Sequence, residues 1–217
     1  MKLLDEADEL RKLRAQADRR TAALLPALFH EMFGVPFDDS VPYPIKKLGE
    51  LVRTGDKINY GVVQPGDEVA DGIPVVRAGD FSGMTIDQRN LKRILPEIEK
   101  SYSRSRLRGD EILISCVGSI GSVALADSSL TGCNIVRAVA RVPLRDEIDR
   151  LFLASQLMTP ELQNFFRRET RTVAQPTLNI RQIEETPIIL PPLPLQQEFA
   201  RRVAETSAAE FTLDVSV

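Results

Sequence analysis

The sequence predicts an α+β fold in which a mixed-sheet body is flanked by a long N-terminal helix and a C-terminal helix. Three observations lead there. Short β-branched runs bounded by turn residues cluster in the middle of the chain without a steady strand–helix alternation. Apolar residues fall at helical spacing only at the two ends and over residues 148–168. Two proline-rich joints, "VPFDDSVPYP" and "PIILPPLPLQQEFARRV", separate those ends from the middle.

Residues 3–33 read as a helix. Leu3, Leu10, Ala17 and Leu24 recur every seven residues, Leu13 and Leu28 lie beside that stripe, and charged residues fill most other positions. One narrow stripe on so long a helix calls for a partner helix. Pro26 weakens the last turns, and Gly34 with Pro36 stops them. The boundaries expected are thus a helical spacer over 1–34, a linker over 35–44, a body over 45–190 and a C-terminal helix over 191–217.

Within the body, "IPVVRA" (Ile73 to Ala78) is a strand, and "EILISCVGSIGSVALA" (Glu111 to Ala126) is two strands joined near Gly118 to Gly121. "CNIVRAVARV" (Cys133 to Val142) reads as one further strand. Residues 148–168 are helical, with a break near Pro160. At the end, Pro194 suits a first helical turn, and Leu195, Phe199 and Val203 give one apolar face. After Glu205, "TSAAEFTLDVSV" replaces charge with small and β-branched residues, so the helix is expected to fade early.

The 217 residues suffice for one domain plus an appendage. Cys116 and Cys133 show no metal-ligand spacing and read as reduced and partly buried, as in a cytoplasmic protein. Charged residues follow Met1, so neither a signal peptide nor a membrane span is expected. The net charge of −3 argues against a binder that works by bulk charge, but not against a local basic face.

The order of these pieces resembles the specificity (S) subunit of type I restriction-modification systems. "IPVVRAGDFSG", "RSRLRGDEILISCVGSIGSVALA", "RTVAQPTLNIRQI" and "LPPLPLQQEFARRV" carry the likeness, and "LLPALFHEMFG" resembles the end of that family's helical spacer. The resemblance spans nearly the whole chain and rests on joint order and spacing. It implies a target-recognition domain that reads one half of a split DNA site, and helices that pair as a coiled coil and dock methyltransferase (M) subunits. It also implies a non-catalytic chain with no cofactor of its own. The methyltransferase would bring S-adenosylmethionine, and a restriction (R) subunit would use ATP. Family members usually hold two recognition domains and this sequence holds one. Either it is a half-length subunit that pairs with itself through its terminal helices, or it is a piece of a longer one.

Two segments supply candidate DNA contacts. Residues 89–108 hold seven basic residues (Arg89, Lys92, Arg93, Lys100, Arg104, Arg106 and Arg108) against Glu97 and Glu99, with Ser101, Tyr102, Ser103 and Ser105 interleaved. Cations and hydroxyls of that kind suit phosphate contact, and the alternative is a solvated charged face. "RRETRTVAQPTLN" (Arg167 to Asn179) is polar and irregular. Arg171, Gln175 and Asn179 have the side chains that form paired hydrogen bonds to guanine or adenine, with Thr172 and Thr177 beside them. The alternative is a surface loop with Asn179 as a helix cap. "VGSIGS" lacks the ending of a phosphate-binding loop and reads as a hairpin turn near Ser119 that still lets glycine N–H groups approach a DNA backbone. His30, the single histidine, lies in the helical spacer and reads as structural. Scarce tyrosine and absent tryptophan favour duplex over single strands. Two other classes stand beside DNA recognition: a metal-dependent nuclease, and a helix-mediated assembly protein without a DNA role.

Overall fold

The computed structural model describes residues 24–170 and 176–214, with backbone alone over 207–214. Residues 24–33 are helical (α1), and Gly34 ends the helix at φ +83°, its N–H bonding the His30 carbonyl at 2.9 Å. The expected stripe residues Leu3, Leu10 and Leu13 lie outside the described residues. Within α1 the buried face is Leu25, Phe29 and Phe33 rather than the heptad positions: Leu24 is 42% exposed and Leu28 only half-buried. Large aromatics at i and i+4 bury more apolar area than the leucines beside them, so they decide which side turns inward.

The body opens with β1 (Ile45–Lys47) and closes with β11 (Pro187–Ile189), which pair antiparallel with Ile45 opposite Ile189. Between them, β2 (Asn59–Tyr60), β10 (Val139–Val142), β7 (Ile112–Ser115) and β8 (Val123–Leu125) form an antiparallel sheet in that order. A second sheet places β3 (Ile73–Val76) between β6 (Lys92–Ile94), antiparallel, and β9 (Asn134–Ile135), parallel. The hairpin β4 (Phe81–Ser82) and β5 (Thr85–Ile86) lies against β8, whose Leu125 N–H bonds the Met84 carbonyl at 2.9 Å. Every residue of β7 and β10 is buried. Their alternation sends Ile112, Ile114, Ala140 and Val142 into the main core, and Leu113 and Val139 into a second core shared with Val76 and Ile135. Near-continuous apolar runs are what a sheet covered on both faces requires.

The run Cys133 to Val142 is therefore two strands and not one. β9 belongs to the second sheet and β10 to the first, and the crossing at Val136 to Ala138 is pinned by Val136 N–H to the Val76 carbonyl (3.1 Å) and Arg137 N–H to the Val62 carbonyl (2.8 Å). β propensity is continuous across the crossing, so local pattern does not reveal the change of sheet. The hairpin over Glu111 to Ala126 and the break at Pro160 match the pattern: α3 (Arg150–Leu157) ends, and α4 (Pro160–Glu169) starts with proline in its first turn.

The terminal helices meet on α3. Phe29 and Phe33 of α1, Phe152 of α3 and Phe199 of α6 (Leu193–Asp214) form one aromatic cluster with ring centroids 5.1–6.2 Å apart. His30 bonds Glu161 of α4 at 3.1 Å, the structural role expected for it. In α6 the apolar face holds at Phe199 and Val203, both buried. Leu195 is 39% exposed instead, and Gln196 takes the inward position, accepting from Asp149 N–H (3.0 Å) and donating to the Pro191 carbonyl (2.8 Å). Nor does the helix fade at Glu205: the backbone stays helical to Asp214.

Candidate nucleic-acid interface

A groove of about 650 Å³ runs between two walls, Gly55–Tyr60 on one side and Ser101–Arg108 on the other, with Arg141 at its base. Lys57, Ser101, Ser103, Arg104, Arg106 and Arg108 are exposed along it. Lys57 and Arg104 make no side-chain hydrogen bond or ion pair to a described residue, which leaves their charge available to an anion.

The walls are held by buried ionic networks. Arg141, 2% exposed, grips Asp56 with both Nη atoms (2.9 and 2.6 Å) and Glu111 through Nε (2.9 Å), and donates to the Arg104 carbonyl at 3.2 Å. Glu111 is wholly buried and also accepts from the N–H groups of Arg108, Gly109 and Asp110. Gly109 is required there: φ is +87°, and a Cβ would come within 2.4 Å of the Asp127 carbonyl oxygen. Burial pushes the Asp56 carboxyl up, but the Arg141 fork and the Lys57 N–H outweigh it and hold the group below its ordinary range.

A second network fixes the other wall. Arg106 donates twice to Glu99 (2.9 and 2.5 Å), and Asn134 donates to Glu99 at 2.9 Å. The Arg106 bonds, against the cost of burial, hold Glu99 below the ordinary carboxylate range. Ser105, expected at a DNA contact, is 2% exposed and bonds Asn134 at 2.7 Å, so it is part of this frame and cannot reach a ligand. Burying Glu99, Ser105 and Asn134 here is tolerable because each has a partner.

The remaining members of the basic segment are not brought into this groove. Arg89 forks onto Asp87, Lys92 donates to the Gly66 carbonyl at 2.6 Å and Arg93 to the Gly72 carbonyl at 3.0 Å, all around the second sheet. Lys100 is exposed at the end of α2 (Pro96–Lys100), immediately before the groove wall. Ser119 sits in the β7–β8 turn, where its carbonyl accepts from the Ser122 hydroxyl.

A second groove, about 530 Å³, adjoins the first, since Tyr60 lines both. Its walls include Val62, Val63, Pro65, Val117 and Val136, with Arg137, Thr177 and Asn179 as polar members. Arg171, Thr172 and Gln175 lie outside the described residues. Asn179 adopts its alternative role: its Oδ1 accepts from Gln182 N–H at 3.0 Å and caps α5 (Ile180–Glu184). Tyr60 donates to the Leu178 carbonyl at 2.7 Å, and burial pushes its phenol up to about 12. Lys57, Arg137 and Arg141 are the residues that sequence reasoning missed. Lys57 lies outside the basic run, and the two arginines sit in an apolar stretch that reads as plain strand.

Burial pushes the Cys116 thiol up to about 12 and also raises Cys133, which keeps both as thiols at neutral pH. Among the described residues no three His, Cys, Asp or Glu side chains stand where they would hold a metal, and no helix is long and apolar enough to cross a membrane.

Comparison with known proteins agrees with this architecture. Residues 38–210 match the model of the type I restriction modification DNA specificity domain. The chain is 34% identical over 171 residues to the type I restriction enzyme EcoBI specificity subunit of Escherichia coli, covering 78% of this chain but 36% of that protein. The HsdS subunit from Thermoanaerobacter tengcongensis superposes with a TM-score of 0.59 at 25% identity, covering 95% of this chain and 49% of that one. The S subunit from M. genitalium has the same fold, with a TM-score of 0.60 at 16% identity, over 99% of this chain and 55% of that one. The chain thus spans about a third to a half of the length of these relatives. With the matched model running from the linker into α6, the chain belongs to the family of type I restriction-modification DNA specificity domains.

Proposed function

We propose that this chain is a non-catalytic recognition subunit that binds one half of a split site in double-stranded DNA. Its terminal helices would dock methyltransferase subunits, to which a restriction subunit joins. The observation that carries this reading is the groove at Arg104. Its rim is cationic, the charges at its floor are paired in the Arg141–Asp56–Glu111 network with Arg108 3.8 Å from Asp56, and its walls are held by buried ionic bonds. A rigid cationic channel without a poised nucleophile suits binding to a polyanion rather than cleavage of it. If two copies pair through their helices, the twofold axis presents identical domains, and the target becomes palindromic with a spacer.

Arg104→Ala tests the reading, because the Arg104 carbonyl, not its side chain, is what the fold uses. The variant is expected to weaken binding similarly on all duplexes and to lower the slope of log affinity against log salt by about 1 in electrophoretic mobility shifts. Wild-type chain that ignores random duplex DNA at low salt would remove DNA recognition. Arg104→Ala with unchanged affinity and slope would remove this groove from the contact.

A further inference from the structure

The second groove differs from the first in a way that bears on what it recognises. The first is lined with cations and hydroxyls. The second holds a single charged side chain, Arg137, among Val62, Val63, Pro65, Val117 and Val136. The Arg137 side chain is exposed and makes no hydrogen bond or ion pair to a described residue. Arg137 is tied to neighbouring segments through its backbone. Its N–H bonds the Val62 carbonyl at 2.8 Å, and its neighbours are held by Val136 N–H to the Val76 carbonyl (3.1 Å) and Cys116 N–H to the Ala138 carbonyl (2.8 Å). Backbone bonds to three separate segments therefore hold the residue that carries this guanidinium, and its side chain pairs with no described residue.

Beside valine walls, a partner presenting two coplanar acceptors satisfies an arginine fork best. Guanine O6 and N7 in the major groove are such a pair, and valine methyls suit the apolar edge of a neighbouring thymine. A phosphate, by contrast, is well hydrated and gains little from apolar walls. Resting on the DNA reading above, we propose that Arg137 is a specificity-determining residue that reads a guanine. Thr177 and Asn179 line the same groove.

Enrichment of bound duplexes from a randomised library, with wild-type chain, Arg137→Lys and Arg137→Ala, tests this. Arg137→Lys keeps the charge and loses the fork. It is expected to retain affinity for unselected duplex and to lose its preference at one G·C position by roughly 5- to 100-fold. Arg137→Ala should lose the same preference, and both variants should melt with the wild type, since the side chain is exposed. Two results would overturn the assignment: an enriched motif unchanged in both variants, or a motif kept by Arg137→Lys while Arg137→Ala weakens all sequences equally, which marks a phosphate contact. Wild-type chain that enriches no duplex at all sinks the DNA reading itself, a failure distinct from either.

Discussion

Replacing Arg141 with methionine should unlock the wall of the cationic groove. The substitution removes three ionic hydrogen bonds, two to Asp56 and one to Glu111, plus the bond to the Arg104 carbonyl. It leaves a Glu111 carboxylate with no exposed surface and an Asp56 that is 13% exposed. Orphaning one member of a buried ion pair costs about 3–5 kcal/mol. Glu111 retains its three backbone donors, which favours the lower end, about 3 kcal/mol. In a chain of this size that corresponds to a fall in Tm of roughly 6–12 °C.

The loss should also depend on pH, with a definite sign. In the wild type the Asp56 carboxyl titrates below its ordinary value of 3.8. Its stabilising contribution is therefore complete above that value and vanishes as pH falls through the lower, folded-state pKa. Without Arg141, burial dominates and raises the same carboxyl, so the variant is penalised at neutral pH and relieved on protonation. Urea melts of both proteins at pH 7 and near pH 4 should show the gap narrowing in acid. A gap below 1 kcal/mol at pH 7, or one that does not change with pH, would refute the account of the network.

Phe199→Ala should cost about 3–5 kcal/mol in the same melts, because the ring packs against Phe29, Phe33 and Phe152 at once, and an unmoved midpoint would mean that the helices are not anchored there. Leu10→Asp addresses self-pairing through the N-terminal helix. Light scattering should register a lower mass in solution, and an unaltered mass would count against a dimer held by that helix.

What the sequence made legible was set by local physics. The β7–β8 hairpin, the helices on either side of Pro160 and the joint at Pro194 depend on turn glycines, proline geometry and side-chain period, all confined to a few neighbouring residues. What stayed hidden depends on partners distant in the chain. Arg141 reads as a polar interruption in "VARV" until Asp56, 85 positions away, closes on it. Ser105 looks like a phosphate ligand until Asn134 turns it inward. The inner face of α1 was misread for a related reason: apolar residues occupy two adjacent stripes, and only the position of Phe152 and Phe199 selects between them. A basic run in sequence is thus a poor map of a basic surface. Of the seven cations in residues 89–108, Arg89, Lys92 and Arg93 serve the second sheet and Arg106 is bound to Glu99. Lys57 and Arg137, from elsewhere in the chain, line the two grooves with their charge uncommitted to any described residue. The charge that lines the grooves of such a body is therefore set by its tertiary fold, which gathers side chains from remote segments.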